Sequence, residues 1–362
     1  MSKFRLNFTL KQHTPIIHFQ SDQSGATLRA TELKPKLDRF LLENVEGIPF
    51  KKNANGSKSL DYKVKIEADL SHNKEIDARN PLFFGNMGEG EQKEFKEHSK
   101  TFKIEFFSFN LEVLEAIKNN FESFLANTNF GTRQSKGFGG FYLKKPFDKS
   151  LIPFDVYSFS SSSTRWQEDI KLFYAFLRQG INLPNRQGTR FYAKPAIFLY
   201  AKSKGWTWDK KAIKEHFFAD KLRGQQTKYN SESPVNYGSS KKYILRDLFG
   251  LSSDQSWMSY RATVKKETKN IDRFKSPITF KFVDGQVYFW ANNSVEEILN
   301  KDFTVKAKGS PLQLKTPKEF SFDEFFKFVK NIKLSDVVEN KFQSQREYKD
   351  LNRMLSNLKV SS

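Results

Sequence analysis

Residues 101–143 have the sequence TFKIEFFSFNLEVLEAIKNNFESFLANTNFGTRQSKGFGGFYL, and this stretch decides the fold. Apolar residues alternate over residues 102–106, which is the period of a strand with one buried face. After Asn110, a residue type that favours the helix N-cap, apolar residues recur at helical spacing as far as Phe124. A glycine-rich turn then leads to a second strand at residues 141–143. Strand, helix, turn and strand in this order form half of a ferredoxin-like unit and predict an α+β fold.

The chain is strongly basic. Its 362 residues include 61 Lys and Arg against 41 Asp and Glu, so the formal net charge is +20. A charge of this sign and size indicates a polyanionic partner such as nucleic acid. The length favours two domains, or one large domain with insertions. The 38 phenylalanines indicate a core that is rich in aromatic side chains.

The composition excludes several classes of protein. Cysteine is absent, which excludes disulfide scaffolds and every thiolate metal site. No run approaches the roughly 18 consecutive apolar residues of a membrane span. Residues 1–11 alternate as a strand does and lack the apolar block of a signal peptide. We therefore expect a soluble, cytoplasmic protein with no membrane partner.

The N-terminal part of the chain shows one further strand and one basic helix. Residues 3–11 have the period of a half-buried strand. Residues 26–42 have apolar residues at helical spacing, and the basic residues between them, Lys34, Lys36 and Arg39, are predicted to point outward. This helix would therefore present a positive face to solvent.

The second half of the chain contains the clearest hairpin signal. Residues 278–290 hold two apolar runs joined by Asp284-Gly285, a pair that suits a two-residue primed turn. The Ser-rich run at residues 158–163 is typical of a linker or loop. We therefore place the domain boundary there, with an N-terminal domain over residues 1–157 and a C-terminal domain with helical additions over residues 158–362.

Other segments are interpreted as additions to these two domains. Residues 72–99 mix turn formers with acids and are predicted to be an insertion. Helical spacing recurs at residues 209–223, 322–332 and 335–358.

The strongest local feature is the loop over residues 130–142, where four glycines, two cations and several aromatic residues lie between the predicted helix and strand. Glycines let main-chain N–H groups approach phosphate oxygens, Arg133 and Lys136 would neutralise charge, and an exposed ring can stack on an unpaired base. The alternative is a plain connection whose aromatic rings belong to the core. The loop is neither a Walker loop nor a dinucleotide fingerprint, because the required spacing and context are missing.

Five histidines are the candidates for acid–base chemistry at neutral pH. His13 or His18 could act as a general base in a metal-independent cut of RNA through the 2′-hydroxyl. For each histidine, a structural or surface role is the alternative. The chain has no His-Glu-x-x-His motif, and the spacing of its histidines predicts no metal site.

Three segments occur in an order that resembles the RAMP superfamily of CRISPR-associated proteins. They are Thr14-Pro15-Ile16-Ile17-His18, the basic helix over residues 32–40 and the glycine-rich loop over residues 131–140. Leu248-Phe249-Gly250-Leu251 and Arg273-Phe274-Lys275-Ser276-Pro277 look like the second half of a two-domain member. By length and by the mid-chain position of its loop, the chain is most similar to the family of the first-named subunit of the type III-B Cmr effector complex.

The resemblance implies two tandem ferredoxin-like (RRM-like) domains with insertions. It also implies a subunit that holds guide RNA or captures target RNA for antiviral defence, beside other CRISPR effector subunits and without a cofactor. The residues expected to contact RNA are Lys34, Lys36, Arg39, Arg133, Lys136, Gly137, Gly139, Gly140, Arg273 and Lys275. The sequence departs from the family's pattern at Pro35 and Asp38, in the first helix.

The resemblance favours binding over cleavage. We find no clear counterpart of the catalytic loop aspartate of the target-slicing subunits, for which Asp22 and Asp77 are only nominal candidates. The alternative function is a metal-independent, guide-RNA-processing endoribonuclease of the same superfamily, with His13 or His18 as general base. The processing enzymes usually carry their glycine-rich loop near the C-terminus, which counts against this alternative.

Overall fold

The computed structural model describes residues 3–17, 28–54, 56–68, 73–75, 94–96, 102–185, 188–219, 242–251, 254–257, 260–269 and 271–361. The elements up to residue 160 are β1 (Arg5–Gln12), α1 (Ala30–Asn44), β2 (Lys51–Lys52), β3 (Lys58–Ser59), β4 (Lys63–Glu67), β5 (Asn73–Glu75), β6 (Glu94–Lys96), β7 (Phe102–Phe107), α2 (Leu111–Asn127), β8 (Lys136–Gly137), β9 (Phe141–Leu143) and β10 (Val156–Ser160).

The following elements are α3 (Trp166–Arg178), β11 (Ile181–Asn185), β12 (Gly188–Ala193), α4 (Ala196–Ser203), β13 (Thr207–Trp208), α5 (Asp209–Phe217), β14 (Lys242–Tyr243), β15 (Asp254–Trp257) and β16 (Ala262–Glu267). The last elements are β17 (Ile278–Val283), β18 (Gln286–Ala291), β19 (Asp302–Lys306), β20 (Leu312–Lys315), α6 (Phe322–Lys330), α7 (Leu334–Val337), α8 (Arg346–Ser356) and β21 (Lys359–Ser361).

The first sheet has the ferredoxin-like topology that the sequence predicts. Its strand order is β4-β7-β1-β9, and each neighbouring pair is antiparallel. With α1 after β1 and α2 after β7, this is a βαββαβ unit in which the fourth strand lies beside the first. Asn110 caps α2 as predicted, since its side chain accepts hydrogen bonds from the N–H groups of Glu112 and Val113. Helix α1 continues through Pro35 from Ala30 to Asn44.

The core under this sheet is aromatic, as the composition predicts. The buried rings of Phe102, Phe106, Phe121, Phe124 and Phe141 lie within one cluster of apolar side chains, and several of them meet edge to face, such as Phe106 with Phe121 at 5.0 Å between centroids.

A second sheet repeats the same strand order. It runs β21-β10-β18-β17-β8, and β10 is antiparallel to both β18 and β21. In chain order, α3 follows β10, the hairpin β17–β18 comes next, and α8 precedes β21, which is the βαββαβ order again, with long insertions on either side of the hairpin. The predicted turn is confirmed, because Asp284 and Gly285 both have positive φ, 43° and 82°. The fold is therefore α+β, with two tandem ferredoxin-like repeats.

The chain divides into two compact units that differ from the predicted division at residues 157 and 158. One unit holds Met1–Ile170, Thr279–Trp290 and Lys359–Ser362, and the other holds Lys171–Ile278 and Ala291–Leu358. Both ferredoxin-like sheets lie in the first unit, because β10 pairs with strands more than 100 residues away in the chain. The Ser-rich run is not simply a linker, since Ser158 is 6 % exposed within β10.

The second unit contains the six-stranded sheet β13-β14-β20-β19-β16-β15 and the hairpin β11–β12. The predicted helix over residues 335–358 is broken into α7, a 3₁₀ turn at Asn340–Phe342 and α8. The predicted helix at 322–332 is α6. The described part of the chain contains no helix long and apolar enough to span a membrane.

Candidate nucleic-acid interface

The glycine-rich loop between α2 and β9 has an unusual backbone. Gly131, Arg133, Gly137 and Gly139 all have positive φ, at 79°, 61°, 88° and 67°. A Cβ at position 139 would lie 1.8 Å from the carbonyl oxygen of Phe130. Glycine is therefore required at position 139 both by the backbone conformation and by a contact within the protein.

The amide groups of this loop are used inside the protein. Gly139 N donates to Pro15 O at 2.7 Å. Gly140 N donates to Thr14 Oγ1 at 2.7 Å, and the same hydroxyl donates to Gly137 O at 2.7 Å. Gly137 N donates to Gln134 O at 3.3 Å. Gly137, Gly139 and Gly140 were expected to bind a phosphate through their amide N–H groups. The structure does not offer these groups to a ligand, because the buried amides already have partners.

The aromatic residues of the loop belong to the core. Phe130, Phe138, Phe141 and Tyr142 are fully buried, so none of them can stack on a base. Of the two interpretations that the sequence left open, the plain connection with core aromatics is correct for these rings. The loop also contributes β8, which pairs in parallel with β17 at Phe280.

Lys36 fastens this loop to α1 instead of pointing outward. Its Nζ donates to Asn129 O at 3.0 Å and to Gln134 Oε1 at 2.8 Å. It also donates to Glu32 Oε1 at 3.0 Å, and that oxygen accepts a hydrogen bond from Gly131 N at 2.6 Å. The prediction of an outward Lys36 is therefore wrong, because the loop carbonyls offer it partners that the local sequence does not show.

Lys34 is also engaged within the protein. Its Nζ donates to Asp38 Oδ2 and to Leu60 O, both at 2.8 Å, and lies 4.0 Å from the centre of the Tyr62 ring. Asp38 is 6 % exposed and its carboxylate also accepts from Leu60 N at 3.3 Å. The departure from the family's pattern at Asp38 thus anchors α1 to the segment before β4. Of the three predicted cations of α1, Arg39 is the exposed one.

The remaining predicted cations differ in exposure. Arg133 is half-buried, and this burial lowers the pKa of its guanidinium. Lys136 has a buried Nζ near the ring of Phe280, at 5.7 Å, so its ammonium is not presented to a ligand. Arg273 and Lys275 are exposed in the second unit. Arg39, Arg133, Arg273 and Lys275 remain predicted phosphate contacts.

His13 is enclosed and uncharged at neutral pH. Its side chain is 3 % exposed, and its Nδ1 lies 3.7 Å from Asp284 Oδ1. Burial lowers the pKa of the imidazole to about 4, against the opposing effect of Asp284. A base in this position cannot reach a ribose hydroxyl of bound RNA without a rearrangement.

The second candidate, His18, lies outside the described residues, as do Asp22 and Asp77. Among the residues that the structure describes, no group of His, Asp and Glu could hold a metal ion.

One face of the first sheet points away from the core, and the sequence analysis missed it as a candidate surface. We call it the open face. On β1, β4 and β7, the apolar side chains point to the core and the alternate residues are more exposed. The antiparallel register aligns these alternate residues in three rows across the sheet. The rows are Arg5–Phe107–Lys63, Asn7–Glu105–Lys65 and Thr9–Lys103–Glu67.

This open face has a positive balance. Lys63, Lys65 and Lys103 are exposed, and Lys65 Nζ pairs with Glu67 Oε1 at 2.6 Å. Arg5 Nη1 contacts both carboxylate oxygens of Glu105, at 2.7 and 2.9 Å, so its charge is partly offset by that neighbour. Ion pairs between exposed groups contribute little stability, which leaves these cations available to exchange a carboxylate for a phosphate. The sequence does contain this signal. On each strand the cations occupy alternate positions, and the apolar residues occupy the positions between them.

Comparisons with known proteins show the family of the chain. A family model described as the Cmr1 N-terminal domain matches residues 3–181, and one described as the Cmr1 C-terminal domain matches residues 192–357. The chain belongs to the Cmr1 family. It is a Cmr1-like subunit of the type III-B CRISPR effector, as the resemblance of its motifs predicts.

A crystal structure of Cmr1 from Pyrococcus furiosus, in the apo form, is similar to this chain with a TM-score of 0.39 and 12 % sequence identity. The similarity covers 99 % of this chain and 98 % of that one. A search of curated proteins gave no match.

Proposed function

We propose that this Cmr1-family protein is a non-catalytic, RNA-binding subunit of a cytoplasmic type III CRISPR effector. In this role it holds guide RNA or captures target RNA for antiviral defence, beside the other effector subunits. The observation that carries the proposal is the open face of the first sheet, where exposed Lys63, Lys65 and Lys103 stand in adjoining cross-strand rows.

The electrostatics of the chain support this proposal. A net charge of +20 attracts a polyanion at long range, and each lysine that neutralises a phosphate releases a bound counterion. Alternate residues of a strand lie about 7 Å apart, so Lys63 and Lys65, in adjoining rows, are spaced closely enough to contact successive phosphates of one RNA strand. Arg39, on α1, is a further exposed cation of the same unit.

The surroundings of His13 support the non-catalytic part of the proposal. A general base needs direct access to the proton that it removes, whereas the His13 imidazole is 3 % exposed. Incubating repeat RNA with the purified protein in EDTA tests this part. We expect intact RNA. A site-specific cut that is lost in His13→Ala or His18→Ala would instead establish the endoribonuclease.

RNA binding itself is tested by measuring the affinity of the purified protein for a labelled single-stranded RNA as the salt concentration changes. We expect binding that weakens linearly on a log–log plot, because counterion release drives it. A protein that shows no affinity for RNA at low salt, alone or with its partner subunits, contradicts the proposal. Association with partner subunits that survives nuclease and high salt, without RNA affinity, would indicate an assembly factor instead.

A further inference from the structure

A cluster of three phenylalanines lies at one end of the open face of the first sheet. Phe107 is the last residue of β7, Phe109 follows it by two residues, and Phe4 precedes β1. Phe109 is 77 % exposed, the highest value among the large hydrophobic side chains that the structure describes. Single exposed apolar residues are common on protein surfaces, so the surroundings of Phe109 decide whether its exposure has a use.

The backbone on both sides of Phe109 is fixed by hydrogen bonds. Ser108 is buried, its N–H donates to Phe4 O at 3.2 Å, and its hydroxyl donates to Asp61 O at 2.5 Å. The same hydroxyl accepts from Asn110 N at 2.9 Å, and Asn110 caps α2. The backbone at Phe109 is therefore held in place. Phe109 projects from a position that is held by β1, by the segment before β4 and by the start of α2.

The two neighbouring rings support Phe109 from the side. The Phe107 and Phe109 centroids are 5.0 Å apart at an interplanar angle of 76°, and those of Phe4 and Phe109 are 5.4 Å apart at 67°. Both contacts are edge contacts, the preferred geometry of aromatic pairs. Since most of its surface is also exposed, the Phe109 ring has room for a further flat partner.

Cations border this aromatic cluster. Arg5 and Lys63 stand opposite Phe107 on the two neighbouring strands. The Arg5 guanidinium lies 5.7 Å from the centre of the Phe107 ring, and Lys3 Nζ lies 5.1 Å from that of Phe4. An exposed ring beside several positive charges complements a ligand that has both a π-face and a negative backbone. An unpaired nucleotide has both, whereas a base within a duplex has no free face.

We infer that Phe109 is a stacking platform for one unpaired base of single-stranded RNA, with the adjoining phosphates held by Lys63 and Arg5. The inference rests on the proposed RNA-binding function and names the residue that contacts a base. Four-stranded sheets of this topology recognise RNA elsewhere through aromatic rings on the open face. Here Phe107 and Phe4 position the ring, and Phe109 makes the contact.

The test compares two ligands and two variants of the full chain. The ligands are a fluorescein-labelled single-stranded RNA and the same RNA with abasic sites, which keeps the phosphates and removes the stacking partner. The variants are Phe109→Ala and a matched control, Phe50→Ala. Phe50 is also an exposed phenylalanine, 41 % accessible, with a cation near its ring, Lys58 Nζ at 4.5 Å.

We expect Phe109→Ala to weaken binding of the base-bearing RNA by about 5- to 150-fold, the range measured for base–aromatic stacking. The salt dependence should not change, because no charge is removed. Binding of the abasic RNA should be the same for the wild type and for Phe109→Ala, and Phe109→Trp should restore the preference for bases. Phe50→Ala should behave as wild type. Thermal unfolding verifies that the variants are folded.

The outcomes separate the two proposals. If the wild type has no salt-dependent affinity for either RNA, the proposed function fails. If the wild type binds RNA but does not distinguish base-bearing from abasic RNA, or if Phe109→Ala and Phe50→Ala bind alike, only the stacking inference fails. If Phe109→Ala retains full RNA affinity and loses binding to another effector subunit, the cluster is a protein interface and the inference is overturned.

Discussion

Lys281 Nζ donates a hydrogen bond to the carbonyl oxygen of Leu125 at 2.8 Å. The lysine lies on β17 in the second ferredoxin-like repeat, and Leu125 lies in the last turn of α2 in the first. Lys281 is fully buried and also donates to Thr128 O at 2.9 Å and Asn129 Oδ1 at 3.1 Å. It thereby satisfies carbonyls at the end of α2 that have no partner within the helix.

This buried ammonium should make stability depend on pH on the alkaline side. Burial lowers the pKa of Lys281 from 10.5 to about 7. Between these values the unfolded chain binds more protons than the folded one, so the free energy of unfolding rises with pH, by at most about 1.4 kcal/mol per pH unit. Lys281→Met should remove this component. The free energy of unfolding, measured with urea at pH 7.5 and 9.5, reports this component. If that free energy changes equally with pH in the wild type and in the variant, the assignment of the titration to Lys281 is contradicted.

His13 should make stability depend on pH on the acid side. Burial lowers its pKa from 6.5 to about 4, so between these values the unfolded state again binds more protons. Stability therefore falls as pH decreases from 6.5 to 4, by at most about 1.4 kcal/mol per pH unit. His13→Gln should flatten this range in urea unfolding. Asp284 contributes below it, because its pKa is lowered from 3.8. If the free energy of unfolding of His13→Gln falls between pH 6.5 and 4 as steeply as that of the wild type, His13 is not the titrating group.

Gly139→Ala should strongly destabilise the protein. The new Cβ would lie 1.8 Å from Phe130 O, at a φ of 67°. Gly47→Ala is the matched control, because Gly47 has a φ of 72° and no atom within 4 Å of a new Cβ. We expect about 1–2 kcal/mol of strain for the control, and more than about 4 kcal/mol, or no folded protein, for Gly139→Ala. Similar losses in chemical unfolding would mean that the loop relaxes around residue 139.

Lys266→Met should destabilise the second unit. Lys266 is fully buried and its Nζ contacts Asp247 and Asp209, both also fully buried. Removing it leaves two buried carboxylates with less compensating charge, at a cost of about 3–5 kcal/mol. The control is Lys306→Met, which breaks an exposed pair with Glu267 and should cost about 1 kcal/mol or less. Chemical unfolding measures both, and equal effects would contradict the buried role of Lys266.

The sequence predicts the local elements of the sheets well, for physical reasons that are visible in particular residues. The alternation at residues 102–106, the N-cap at Asn110 and the Asp284-Gly285 turn each depend on near neighbours in the chain. The N-terminal ferredoxin-like unit follows from such local signals. The pairing of β10 with β18 and β21 depends on contacts across more than 100 residues. The boundary predicted from the composition of the Ser-rich run therefore does not coincide with the boundaries of the compact units.

The candidate site was harder to predict, because charge and glycine content do not show which groups already have partners. Lys36 and Gly139 fit a phosphate-binding pattern in the sequence, yet their partners are Asn129 O and Pro15 O within the protein. Conversely, Lys63 and Phe109 are unremarkable in isolation. They become candidates when the register places Lys63 beside Phe107 and when the buried Ser108 fixes the residue that follows it.

The salt dependence of RNA binding by a matched pair of triple variants tests the central claim most directly. One variant carries Lys63→Gln, Lys65→Gln and Lys103→Gln on the open face. The control carries Lys318→Gln, Lys330→Gln and Lys333→Gln, which are equally charged and exposed residues of the second unit. If the open face binds the phosphates, the slope of log affinity against log salt should become shallower by about 2 in the first variant and stay unchanged in the control. Equal slopes for the two variants would contradict the claim that RNA binds this face.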